Sequence, residues 1–298
     1  MLTRPTAWST VFNNQQPLEV EIGFGNGEFL AKLCAQYPMT NFIGFEQYCE
    51  RIHRTLRKLS REASGNVRVM RLDAKAGFER YIAPRSVNKI YCLYPPPWPK
   101  KSDAKHRLLT HAFLKTLNNR LVDGGVFLLV TDWKPYTEWL LEQYPGTGFD
   151  LDVKVIAPNY GTKFENKWVE GGQREFYEMT FTKKYHQDVP LKEDVAMQTH
   201  LVNDFDPDHF ILSDTQEPGI AVSLKDFIYD SKKKIAMVHA VISDEGIVQH
   251  IRIIIVATPK GWRVQLAEGS LLMPTQGVAL ALAHTALLAQ QSALKDKA

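Results

Sequence analysis

The sequence predicts an α/β protein. A doubly wound sheet of five parallel strands ends in a C-terminal antiparallel hairpin, and a smaller α+β domain with a β-meander follows. Three observations predict this. Between residues 18 and 182, short apolar runs alternate with longer helical patterns, the signature of strands linked by helical crossovers. The last two runs of that stretch alternate polar and apolar residues, as antiparallel strands with one wetter face do. After residue 207 the pattern changes to long strand-like runs joined by tight turns. A length of 298 residues is compatible with two domains.

The five parallel strands are read from LEVEIGF (18–24), NFIGFE (41–46), VRVMRL (67–72), KIYCLY (89–94) and GVFLLVTD (125–132). FDLDVKVI (149–156) and REFYEMTF (174–181) supply the hairpin, so the first domain is placed at 1–185. The polar, acidic stretch 186–207 is read as a linker or packing segment. Residues 208–298 form the second domain, a C-terminal extension whose role stays open. In it, KKIAMVHAVISDEG, IVQHIRIIIVATPKG and WRVQLAEGS make the meander, with turns at Asp244-Glu245-Gly246 and Pro259-Lys260-Gly261. An apolar helix begins at Gly277.

Composition excludes several classes. There is no apolar stretch long enough to span a membrane and no apolar core to the N-terminus, so neither a membrane protein nor a signal peptide is expected. Cys34, Cys49 and Cys92 fit buried thiols in a reducing, cytoplasmic setting, and neither a disulfide framework nor a metal site. The net charge of +3 hides an asymmetry: residues 1–185 carry a net +7 and residues 186–298 a net −4. A polyanionic partner is therefore expected for the first domain, and the second domain's charge argues against a broad phosphate-binding face.

The first strand runs into Glu21-Ile-Gly23-Phe-Gly25-Asn-Gly27-Glu28. Alternate glycines allow a tight turn and close backbone approach to a ligand, and the next helix offers free N–H groups. The dinucleotide pattern GxGxxG fails, because Glu28 stands where the last glycine belongs, and a carboxylate there repels a pyrophosphate. An acid before the first glycine welcomes a cationic ligand such as S-adenosylmethionine, which carries a sulfonium and an ammonium. Glu46, at the end of the second strand, is positioned to accept ribose hydroxyls. Asp73 and Ala74, after the third strand, are within reach of an adenine edge; the alternative for both acids is to cap the following helix. After the fourth strand comes Tyr94-Pro-Pro-Pro-Trp98-Pro-Lys-Lys101, a stiff loop with a flat indole. A helix over 46–63 carries Arg51, Arg54, Arg57, Lys58 and Arg61 largely on one side, with Ile52, Leu56, Leu59 and Ala63 on the other. With Lys101, Lys105 and Arg107 it forms a candidate phosphate-binding surface, and a merely solvated face is the alternative.

EIGFGNGEF, FIGFE, PPPWPKK, TDW (131–133) and TKFE (162–165) occur in this order. Over residues 15–183 the chain resembles the bacterial tRNA (guanine-N7)-methyltransferase family, class I enzymes that modify guanine-46 of the variable loop. The resemblance implies S-adenosylmethionine as cofactor, held by Glu21, the Gly23–Gly27 loop, Glu46, Asp73 and Ala74. It implies tRNA as partner, with substrate contacts from Lys100, Asp132, Thr162, Lys163, Phe164 and Glu165. One departure stands out. The family's Pro-Asp-Pro-Trp carries its catalytic acid, and this chain has Pro96 in that place, so no catalytic residue is assigned. Guanine N7 already bears a lone pair and needs no base to become a nucleophile. An active tRNA methyltransferase and a weakened or inactive cofactor- and RNA-binding partner subunit are therefore both carried forward. Amino-group methylation is disfavoured, since the loop lacks the acceptor side chain that chemistry uses. Monomer and homodimer both stay open.

Overall fold

The computed structural model describes residues 3–61, 65–244, 246–269 and 272–294. The chain divides into two compact units, Met1–Lys192 and Glu193–Ala298.

The first unit begins with a short helix α1 (Trp8–Phe12) and continues β1 (Leu18–Ile22), α2 (Glu28–Gln36), β2 (Asn41–Glu46), α3 (Cys49–Arg61), β3 (Val67–Arg71), α4 (Ala74–Arg80) and β4 (Val87–Leu93). A 3-10 helix (Lys101–His106) precedes α5 (His111–Arg120), β5 (Leu121–Thr131), α6 (Lys134–Gln143), β6 (Phe149–Ile156), α7 (Lys163–Glu170) and β7 (Phe176–Lys183). The sheet order is β3-β2-β1-β4-β5-β7-β6. Five strands are parallel, and β7 lies antiparallel between β5 and β6, with Leu129 opposite Met179. This is the predicted class I arrangement. Val20, Ile43, Ile90 and Leu129 are fully buried because crossover helices cover both faces. The strand order reverses between β1 and β4, so the carboxyl ends of these two strands open a crevice, the usual ligand position in such sheets.

The second unit is a six-stranded antiparallel sheet, β8 (His200–Val202), β9 (Thr215–Glu217), β10 (Ile220–Asp230), β11 (Ile235–Asp244), β12 (Ile247–Thr258) and β13 (Gly261–Leu266), in the order β8-β13-β12-β11-β10-β9. The helix α8 (Gln276–Ser292) covers one face. Its Val278, Ala281, Leu282 and Ala289 share a core with Ala236, Val238, Ala240 and Ile242 of β11.

Several expectations need correction. The meander is larger than predicted, because β8, β9 and β10 were not read as strands. In β10 the period-2 pattern breaks at a bulge between Leu224 and Asp226, which puts Lys225 and Asp226 side by side on exposed positions. Of the two readings of 186–207, the hydrogen bonds favour packing. Asn118 and Asn119 hold Gln187, Arg120 donates to the Val189 carbonyl at 3.1 Å, and β8 belongs to the second sheet. On α3, Leu56 is 45% exposed and Thr55 takes the buried position; Ala63 of the predicted helix lies outside the described residues. Cys49 is exposed, unlike Cys34 and Cys92. Glu245 of the predicted turn is also outside the described residues. No described helix is long and apolar enough to cross a membrane.

Candidate active site

The glycine loop joins β1 to α2. Gly23, Gly25 and Gly27 all have positive φ, at 70°, 56° and 74°. At Gly27 the constraint is double, because a Cβ would lie 2.4 Å from the Thr55 methyl carbon. Thr55 packs α3 onto the loop, and its hydroxyl donates to the Arg51 carbonyl at 2.9 Å and reaches the Gly25 carbonyl at 3.3 Å. At Gly23 a Cβ would meet nothing within 4 Å, so the loop is open on its outer side.

Glu21, at the end of β1, is buried, and its Oε2 has no hydrogen-bond partner. Burial pushes its carboxyl up to about 8, and the neighbouring carboxylates of Glu28 and Glu46 add to the shift. Three acids therefore converge on an open glycine cradle, and one of them lacks a partner. A bound cation would relieve both conditions.

Glu46 and Asp73 are placed at this crevice, and both already have protein partners. Glu46 Oε2 accepts from Gly25 N at 3.1 Å and from Arg51 at 3.4 Å, while Oε1 accepts from Gln47 N and Tyr48 N. The roughly four acceptor positions of a carboxylate are thereby used, so ribose hydroxyls would have to displace the half-exposed Arg51. Asp73 caps α4 through Ala76 N and accepts from the Gln47 amide at 2.6 Å. Ala74 is buried in the first turn of that helix.

The loop after β4 is strained at both ends. Tyr94 (φ 55°) and Trp98 (φ 47°) adopt the left-handed region, which bulky residues rarely enter. Arg107 braces it, donating to the Pro97 carbonyl at 2.9 Å and the Trp98 carbonyl at 3.1 Å, with its guanidinium 4.9 Å from the Trp139 ring centroid. Arg107 was expected on the phosphate-binding surface; the structure turns its planar fork inward instead. Lys101 and Lys105 lie exposed on the 3-10 helix, and Lys100 is exposed just before it. Pro96 is exposed on the same loop.

The TKFE segment is a capping turn. Thr162 caps α7 by accepting from Glu165 N at 3.1 Å. Glu165 was expected to hold substrate; its carboxylate is buried and already has protein partners. It accepts from the Tyr94 hydroxyl at 2.8 Å, from Asn159 N and Tyr160 N, and from Gly161 N. Burial alone would push its carboxyl up, but these donors outweigh burial and hold it below the usual range. Lys163 and Phe164 remain exposed. Phe164 is stacked on Trp168 at 5.7 Å, and Trp168 lies 5.4 Å from Tyr94. Asp132, at the end of β5, is half-buried; burial raises its carboxyl pKa, partly opposed by its own backbone N–H. It is near enough to Tyr94 to push that hydroxyl's pKa further up, behind the larger effects of burial and Glu165.

These features agree with the similarity to known proteins. Residues 15–178 match the family described as "Putative methyltransferase". The tRNA (guanine-N(7)-)-methyltransferase of Chlorobium phaeobacteroides is 35% identical over 187 residues, covering 62% of this chain and 92% of that protein. The chain belongs to the tRNA (guanine-N7)-methyltransferase family. The Methylococcus capsulatus relative of the same name is 40% identical over 138 residues, covering 46% of this chain and 60% of that protein. The Thermotoga maritima relative is 34% identical over 176 residues, covering 58% of this chain and 56% of that protein.

S-adenosylmethionine is the family's cofactor, and the residues fit it. The partnerless Glu21 carboxylate, the acids beside it and the open glycine cradle suit a ligand with two positive charges next to a small polar backbone surface. The α3 cations Arg54, Arg57 and Arg61 are exposed. Arg51 and Lys58 are partly committed, to Glu46 and to Glu28 at 3.4 Å each. Sequence reasoning missed Tyr94, Thr55 and Trp168. The T-x-x-E spacing was a legible cue that Glu165 would turn toward its own backbone.

Proposed function

We propose that this protein transfers the methyl group of S-adenosylmethionine to N7 of guanine in cytoplasmic tRNA, with guanine-46 of the variable loop as the target. The observation that carries this reading is the half-buried carboxylate of Asp132 at the carboxyl end of β5. The strands β1, β4 and β5 are parallel neighbours, so this carboxylate shares the carboxyl end of the sheet with the glycine cradle and with the loop after β4, which Tyr94 ties to Glu165 of α7.

The reacting methyl is supplied as an electrophile on sulfur. The N7 lone pair forms the new C–N bond as the S–C bond breaks, and that bond's electrons return to sulfur. No proton moves in this step, so the side chains position and stabilise. Asp132 accepts from the N1–H and amino edge of the guanine and stabilises the positive charge that develops on the ring. Its desolvated setting strengthens that interaction. Phe164, 42% exposed and backed by Trp168, offers a stacking face for an unstacked base, and Trp98, 40% exposed, offers another. Lys100, Lys101, Lys105 and the α3 arginines Arg54, Arg57 and Arg61 take the phosphates.

The test uses the full chain, labelled cofactor and unmodified tRNA, with nucleoside analysis for 7-methylguanosine. Product that disappears when guanine-46 is replaced by adenine supports the reading. Pro96 favours a second reading, a weakened cofactor- and RNA-binding subunit. Cofactor binding without product at stoichiometric enzyme would decide for it.

A further inference from the structure

We infer that the uncovered face and turn end of the second sheet form a separate RNA-backbone-binding surface. The inference builds on the tRNA reading above.

The face is defined by strand register. In β11, Ala236, Val238, Ala240 and Ile242 are fully buried in the core shared with α8. Their alternates face the other way, toward a side that α8 does not cover. On that side the rows run Ile235, Val256, Arg263 and Leu201, then Met237, Ile254 and Gln265, then Asp226, His239 and Arg252. His250 stacks on His239 with ring centroids 5.4 Å apart. Arg252, Arg263 and His250 are exposed, as are the apolar Leu201, Ile228 and Val248.

The turn end adds charge. Ala257 N donates to the Lys234 carbonyl at 3.1 Å, which sets the β10–β11 turn beside the β12–β13 turn. Lys232, Lys233, Lys234 and Lys260 are exposed there together. The first of these turns is rigidly built, since Asp230 Oδ1 accepts from Lys232 N and Lys233 N at 3.0 Å each.

Charge complementarity selects the occupant. Of the seven described Lys and Arg residues in this unit, all but Lys225 lie on this face or its turn end. The acids placed here are engaged, Asp226 with His239 at 3.0 Å, Asp230 with the turn and Asp214 with the Ser223 hydroxyl at 2.7 Å. Other acids hold the α8 side: Asp244 accepts from Gly277 N, and the Asp206 backbone is bound to Ser292. The described cations of the unit are thus gathered here although its net charge is negative. Stacked imidazoles, guanidinium planes and apolar gaps between cations suit a ribose-phosphate chain with its bases turned onto the sheet.

The test is tRNA binding by the full chain, read by fluorescence anisotropy across a salt series and independent of catalysis. The variants are Lys232→Glu/Lys233→Glu/Lys260→Glu and, separately, Arg252→Gln/Arg263→Gln, all at exposed positions, with unfolding curves confirming the fold. The expected result is a dissociation constant raised about tenfold or more for the lysine variant. The slope of log K against log salt should become shallower by about one per lost phosphate contact, and methyl transfer at saturating tRNA should be unchanged. Unchanged affinity and slope in both variants would overturn the inference, as would a change in sedimentation mass with RNA binding intact, which would mark a protein interface. If the wild type binds tRNA without methylating it, the catalytic reading fails while this inference is still decided by the variants.

Discussion

The Tyr94 hydroxyl donates to Glu165 Oε1 at 2.8 Å, across 71 residues of sequence, and ties the loop after β4 to the cap of α7. Glu165 also holds the backbone of Asn159, Tyr160 and Gly161. Tyr94→Phe removes one bond to a charged acceptor and should cost about 1.5–3 kcal/mol. Glu165→Ala strands several buried N–H groups and should cost more, with loss of methyl transfer. Denaturant unfolding of both variants checks the order. A smaller loss for Glu165→Ala than for Tyr94→Phe would contradict the hub role.

Glu21 should make cofactor binding pH-dependent. Its folded carboxyl titrates at about 8, against an ordinary value of 4.5. The raised value means that the ligand-free protein's stability from this group is complete below 4.5 and is lost as pH rises through about 8. A cationic ligand needs the anion, so binding releases a proton at neutral pH. Affinity for S-adenosylmethionine should rise roughly tenfold per pH unit below that titration and level off above it. Calorimetry in buffers of different ionisation enthalpy measures the proton release. Glu21→Gln should flatten the pH profile and weaken binding at high pH.

The glycines of the loop should separate by cause. Gly23→Ala meets only the left-handed penalty, about 1–2 kcal/mol, because the space outside is open. Gly27→Ala adds a collision with Thr55 and should shift α3 away from the loop. Melting temperature and cofactor affinity should therefore fall further for Gly27→Ala, and Thr55→Ser should recover part of the loss.

Pro96→Asp places a carboxylate on the exposed part of the loop. With cofactor affinity unchanged, methyl transfer should increase by about 10²-fold, the low end of what one preorganised charge-stabilising group contributes. No increase would show that Asp132 already supplies the needed stabilisation.

Arg107→Ala should act as a loop variant and Lys105→Ala as an RNA variant. The first removes two bonds to the loop carbonyls and the contact with Trp139, so it should lower melting temperature and kcat together. The second should weaken tRNA binding in a salt-dependent way without changing stability.

The sequence by itself determined the parallel strands, their order of appearance, the glycine loop and the family motifs. Local pattern encodes each of these: period-2 or fully apolar runs for strands, alternate glycines for the left-handed loop. Only the tertiary structure decided which motif residues are free. Glu165, Arg107 and Asp73 read as site residues because their types suit ligands, yet each spends polar atoms on protein partners, from the nearby Pro97 carbonyl for Arg107 to the Tyr94 hydroxyl, 71 residues away, for Glu165. Strand register likewise decided that the second unit's cations share one face. Net charge along a chain is a sum, and the side of a sheet a residue takes depends on pairing, which a one-residue slip would reverse.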